Sequence, residues 1–178
     1  MNTSFYNQIK NSSAHTQNRI DNANFVLQNL NLIPELLNYC FNTHDKQHIR
    51  ACCVLEKVFE MDLGLCLPYL DFICNHLHLL KNDSAIRSMS RFIMLLSKDN
   101  SKKSYLSDFQ IKKIIEVNFD WLIADYRVAV KHHAIYTLYE IGKKNSWIHN
   151  EIKPILEKDA PSYSIGYKVV VKKILKLI

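Results

Sequence analysis

Glycine is scarce in this chain: Gly64, Gly142 and Gly166 are the only three in 178 residues, and no two are close together. A glycine-rich loop wrapped round a phosphate, or a dinucleotide fingerprint, cannot be assembled from them. Proline is nearly as rare, with Pro34, Pro68, Pro154 and Pro161 alone. Sandwiches and barrels need far more turn residues than this, so the fold class expected is all-α. Cys40, Cys52, Cys53, Cys66 and Cys74 are odd in number, form no CxxC pair and stand in apolar stretches. That argues against a disulfide framework and for reduced thiols serving as small hydrophobes. No apolar run approaches the roughly 20 residues that cross a bilayer, and residues 1–18 lack the apolar core of a secretory signal. These absences predict a soluble, cytoplasmic protein with no membrane partner.

What the chain does have is 48% apolar residues, enough for a continuous core in one domain or one short solenoid. Its formal charge of +6 favours acidic partners, although the spacing of the charges decides more than their sum.

A basic residue returns at a near-regular interval. Arg50, Arg87, Lys131 and Lys168 are separated by 37, 44 and 37 residues. Each follows an apolar or aromatic residue (Ile49, Ile86, Val130, Tyr167) and precedes a small or short one by three positions (Cys53, Ser90, Ala134, Val171). An acid stands upstream each time: Asp45, Asp83, Asp125 and Asp159. A period of this length with helix–turn–helix content predicts stacked helical pairs. After a loosely ordered stretch at 1–14, the apolar spacing predicts a first helix over 15–30 and a single repeat domain over 15–178. Helical pairs follow at about 33–43 with 46–61, 65–80 with 83–98, 108–124 with 126–145, and 147–158 with 162–178. Pro34 falls in a first helical turn, where its missing N–H does no harm. Asp83 or Ser84 can cap the helix over 83–98. The polar stretch 99–107 accounts for the longer middle interval.

Ile33-Pro34-Glu35-Leu36-Leu37, then Asp45, then Ile49-Arg50-Ala51-Cys52-Cys53 resembles the HEAT-repeat pattern: a first helix with an early proline, a turn aspartate, and a basic residue opening the second helix. The resemblance covers roughly residues 15–178. It implies a right-handed α–α superhelix of the HEAT/armadillo type, with about four to five helical pairs. It also implies that Arg50, Arg87, Lys131 and Lys168, with Asp45, Asp83 and Asp125, form a structural ladder between repeats. The segments Arg50–Glu56 and Trp147–Glu151 look like those of a small uncharacterised bacterial HEAT-like family, some members of which are labelled adenylosuccinate lyase. Those lyases are much longer and carry a Ser-Ser-x-Met-Pro-x-Lys-x-Asn loop that this chain lacks, so the activity is not supported.

The densest collection of chemically able side chains is Trp121, Asp125, Tyr126, Arg127, Lys131 and His132, with Tyr136, Tyr139 and Glu140 on the following helix. Aromatics beside cations could hold a partner by stacking and charge. The set looks like the equipment of the HEAT-like alkylpurine DNA glycosylases. In that likeness Asp125 would stabilise positive charge on the sugar, Trp121 would be a stacking wall, and Arg127 and Lys131 would contact phosphate. The alternative is that the aromatics are core and Asp125 is a turn residue. His76 and His78, and likewise His132 and His133, point to different helix faces, while His44 and His48 straddle a helix start. No metal or cofactor is therefore expected. Glu56, among apolar neighbours, reads as the partner of a ladder arginine. The pairs Lys102-Lys103, Lys112-Lys113, Lys143-Lys144 and Lys172-Lys173 could line one edge as a phosphate track or lie on separate faces.

The function expected is a non-catalytic interaction module that binds a protein or peptide on the concave face of second helices. A nucleic-acid-binding protein is the alternative, and self-association through the apolar last helix a third. A continuous basic groove would favour nucleic acid. A mixed groove, or one with acids among its lysines, would favour a protein partner.

Overall fold

The computed structural model describes residues 3–13, 15–159 and 164–178. Among them every regular element is helical, with ten α-helices, short 3-10 stretches and no strand. The chain divides into two compact units, residues 1–92 and 93–178.

The first unit is built round α4 (His48–Met61). Ala51, Cys52, Leu55, Val58 and Phe59 on it are completely buried. Three helices use that apolar surface, α1 (Thr3–Lys10), α2 (Thr16–Gln28) and α3 (Ile33–Phe41). Helix α1 occupies residues expected to be loosely ordered. Phe5 and Ile9, one turn apart, bury themselves completely or nearly so, and that burial outweighs the polarity of the segment. Its Tyr6 hydroxyl donates to Asp45 Oδ2 at 2.7 Å. Asp45 also accepts the Gln47 N–H at 2.9 Å, which closes the turn between α3 and α4. The Gln47 amide and then the Tyr6 hydroxyl hold the Asp45 carboxyl below the usual carboxylate range.

The helix expected over 65–80 is broken into three pieces. A 3-10 stretch, Leu63–Tyr69, leads into a short α5 (Leu70–His76) and a second 3-10 turn, Leu77–Leu79. Pro68 has no N–H to give an α ladder and its ring obstructs the carbonyl four residues back, so α geometry begins only after it. Helix α6 (Asp83–Lys103) is longer than expected and runs through most of the polar stretch that was read as a loop. Its cap is Asn82, whose Oδ1 accepts the Ser84 N–H at 2.9 Å, in place of Asp83 or Ser84. Its end is set by Asn100, whose Oδ1 accepts the N–H groups of Tyr105 and Leu106, both at 2.8 Å. The first part of α6 packs on α4, with the Phe92 ring 4.9 Å from that of Phe59.

The second unit takes the rest of α6 with α7 (Asp108–Ile123), α8 (Val128–Gly142), α9 (Ser146–Asp159) and α10 (Ile165–Leu175). Ser107 and Gln110 form a reciprocal capping box at the start of α7. Helix α8 packs between α7 and α9, and α10 lies against both α8 and α9. Pro161, expected between the last two helices, and Ser162, expected to open the last of them, lie outside the described residues. All five cysteines are free thiols. No helix among the described residues is long and apolar enough to cross a membrane.

Candidate functional site

The four periodic basic residues have different surroundings. Arg50 is exposed and donates to Gln47 Oε1 at 2.7 Å and to the Lys10 carbonyl. It therefore tethers α1, and Asp45 bonds elsewhere. Arg87 and Asp83 are half-buried on α6, while Lys168 is exposed on α10. Lys131 alone is buried, at 1% exposure. Its ammonium donates to the Leu122 carbonyl at 2.6 Å and stands 3.7 Å from Asp159 Oδ2, the acid of the following pair. The strongest ionic cluster lies elsewhere, on α4. Glu56, 1% exposed, receives Arg19 Nη2 at 2.9 Å on one oxygen and Arg91 Nη1 at 2.7 Å on the other. Arg91 also pairs with Glu60. Glu56 is thus a structural carboxylate, but its second partner is Arg91 and not the periodic Arg87.

The nine residues read as one binding surface separate into three groups. Trp121 is 2% exposed and belongs to the core of the second unit. It follows Val117 by four positions on the buried stripe of α7, so it cannot be a stacking wall for a ligand. Lys131 is likewise interior. Asp125 and Arg127 are exposed and Tyr126 half-buried in the turn between α7 and α8. His132, Tyr136, Tyr139 and Glu140 come together on one face of α8, where a groove of about 460 Å³ opens.

Helix α8 supplies those four side chains and Lys143 follows at its C-cap; α6 supplies Met94, Leu95 and Lys98; and Lys173 and Leu177 come from α10 and the turn after it. His132 meets Tyr136 edge-on with ring centroids 4.9 Å apart. Lys173 Nζ lies over the Tyr136 ring, 5.4 Å from its centroid, and Lys143 Nζ over Tyr139 at 4.7 Å. Lys143 also donates to Glu140 Oε2 at 2.7 Å. Tyr139 is held from behind by His149, whose ring stacks on it at 5.6 Å and whose Nε2 bonds the Tyr139 carbonyl at 3.0 Å. That stack requires a glycine at 142, since a Cβ there would lie 2.1 Å from the His149 ring. Burial, and then the Lys173 ammonium, lower the affinity of His132 for a proton below that of a free histidine.

Sequence reasoning missed Met94, Leu95, Lys98 and Leu177 as groove residues, and placed Lys143 and Lys173 only within lysine pairs. The signal for part of the site was present, because 132, 136, 139, 140 and 143 fall on one helical face. A second cleft, in the first unit, is lined largely by carboxamides of α1 and α2. Its Asn18 and Asn22 already bond each other at 3.2 Å, and it gathers no aromatic–cation cluster of this kind. Among the described residues no three His, Cys, Asp or Glu side chains converge as metal ligands.

No protein-family model matches the chain, and no curated protein or solved structure matches it either.

Proposed function

We propose that the protein is a non-catalytic interaction module that binds a segment of another protein in the α8 groove. The observation that carries this reading is the mixed character of the groove. Met94, Leu95 and Leu177 give it apolar walls, and the carboxylate of Glu140 stands among its lysines. A phosphate backbone has no apolar group to rest on those walls, whereas a peptide can place an apolar side chain and a polar one side by side. Glu140 is paired with Lys143 and the His132 ring is set edge-on against Tyr136, an arrangement suited to recognition. Its volume lies in the range of roughly 300–1,000 Å³ typical of ligand sites.

We further propose that the helical pairs are HEAT-like repeats: α3 with α4, α5 with α6, α7 with α8, α9 with α10, preceded by α1 and α2 as a cap. Pro34 in the first turn of α3 and the contact of Lys131 with the acid of the next pair support this. A reducing, cytoplasmic location suits five free thiols.

The test is selection of peptides from a random-sequence display library on the purified protein, repeated on the Tyr136→Ala/Tyr139→Ala variant. Peptides that bind the native protein and are lost on the variant are the expected result. Labelled duplex and single-stranded DNA are titrated in parallel at several salt concentrations. Micromolar DNA binding that collapses with salt, in the absence of selected peptides, would replace this reading with the nucleic-acid one.

A further inference from the structure

Of the three lysines at the α8 groove, only Lys143 has an acidic partner. Lys98 and Lys173 make no ion pair among the described residues, and both are exposed. Three helices therefore deliver three ammonium groups to one groove against a single carboxylate. Two of them are steered by the ring faces of Tyr136 and Tyr139. A cation over an aromatic face stays at the groove instead of reaching freely into water, which pre-positions it for an anion. The uncompensated charge is felt within the site, since the Lys173 ammonium contributes to the reluctance of His132 to accept a proton. Groups facing His132 from the packed elements are Lys173 on α10 and Tyr136 and His133 on its own helix. The Glu140–Lys143 pair is an (i, i+3) contact whose lysine side chain is 43% exposed and whose glutamate is 12% exposed. Its open ammonium end can exchange partners.

We infer that the occupant of this groove is an acidic peptide segment, one whose Asp or Glu carboxylates pair with Lys98 and Lys173 while a neighbouring apolar side chain rests on Met94, Leu95 and Leu177. This inference rests on the peptide-binding reading above and narrows it. Glu140 acts as a built-in competitor: it occupies Lys143 in the free protein and must share or release it when the segment docks. The affinity is thus set from within the groove, and reciprocal effects follow. Glu140→Gln frees Lys143 and removes a like charge, so an acidic peptide binds that variant about fivefold tighter. Lys98→Gln/Lys173→Gln weakens the same peptide by about tenfold, and the native affinity falls as salt is raised.

The experiment reads the charge of the peptides enriched in the library selection and then titrates one labelled representative against these variants by fluorescence anisotropy. Enrichment of Asp and Glu beside an apolar residue, with tighter binding to Glu140→Gln and weaker binding to the double-lysine variant, is expected. Enriched peptides that are neutral or basic would overturn the inference while leaving the peptide groove in place. No enrichment at all would remove the groove reading itself, and the inference with it. Displacement of the acidic peptide by duplex DNA at equal charge concentration would assign the lysines to nucleic acid instead. The gain on Glu140→Gln guards against a folding artefact, because a damaged groove cannot bind more tightly.

Discussion

Replacing Glu56 by Gln removes one charge from the most buried ionic cluster of the first unit while conserving its volume. Glu56 joins α2, through Arg19, to α6, through Arg91, across the face of α4. Removing one member of a fully buried ion pair costs about 3–5 kcal/mol, because the remaining charge is stranded. Here the arginine side chains are 17% and 35% exposed, so water can take up part of the loss. We therefore expect about 2–3 kcal/mol, which corresponds to a fall in Tm of roughly 5–10 °C for a chain of this length. The assay is urea unfolding followed by far-UV circular dichroism, comparing midpoints at an unchanged slope. Arg91→Ala should cost less, since Arg19 still meets Glu56 and Lys57 still meets Glu60 at 2.9 Å. In a double-mutant cycle the two substitutions should couple by about 1–2 kcal/mol. A Glu56→Gln cost below about 0.5 kcal/mol, with no coupling to Arg91, would refute the claim that this carboxylate holds three helices together.

Gly142→Ala drives a methyl group into the His149 ring, which cannot swing away without losing its stack on Tyr139 and its bond to the Tyr139 carbonyl. We expect a loss of about 1–2 kcal/mol after the gain in helix propensity is set against the overlap; His149→Ala in the same chain should recover most of it in thermal melts. The depressed proton affinity of His132 has a definite sign. Between the ordinary histidine value and its lowered value in the fold, the unfolded chain binds more protons than the native one. Stability should therefore fall as pH drops through that window, and His132→Gln should flatten the decline in a series of melts from neutral to mildly acidic buffer. An acidic peptide in the groove reverses the bias, so its affinity should rise over the same pH window in native protein and not in His132→Gln.

The helices of this chain were legible wherever apolar spacing met a clean boundary. Helix α7, expected over 108–124 and found at Asp108–Ile123, has a capping box at one end and an apolar stripe through Ile114, Val117 and Trp121. Helix α1 was missed because only Phe5 and Ile9 of its eight residues mark a buried face. Pro68 was in plain view near the start of the segment expected as helix, 65–80, but it stands far enough inside to break the α ladder. The groove divides in the same way. His132, Tyr136, Tyr139 and Glu140 belong to a single helical face and could be grouped by counting residues. Lys98 and Lys173 reach the groove from α6 and α10, and only packing brings those helices to α8. Trp121 stood in the candidate surface, with the core as its alternative, for the company it keeps in sequence. Its own helical register, four positions after Val117, had already put it on the inward stripe.

The distribution of cysteine and tryptophan gives the molecule two spectroscopic handles that do not overlap. Cys40, Cys52, Cys53, Cys66 and Cys74 all lie within residues 1–92, whereas Trp121 and Trp147 both lie within 93–178. Four of the thiols are buried. Burial pushes Cys40 up and Cys74 to about 12, so little thiolate is available to an alkylating reagent while the first unit is closed. The rate of thiol modification then measures how often that unit opens, and indole emission follows unfolding of the other in the same unlabelled sample. The native chain can thus report on its two halves separately, with no engineered probe in either.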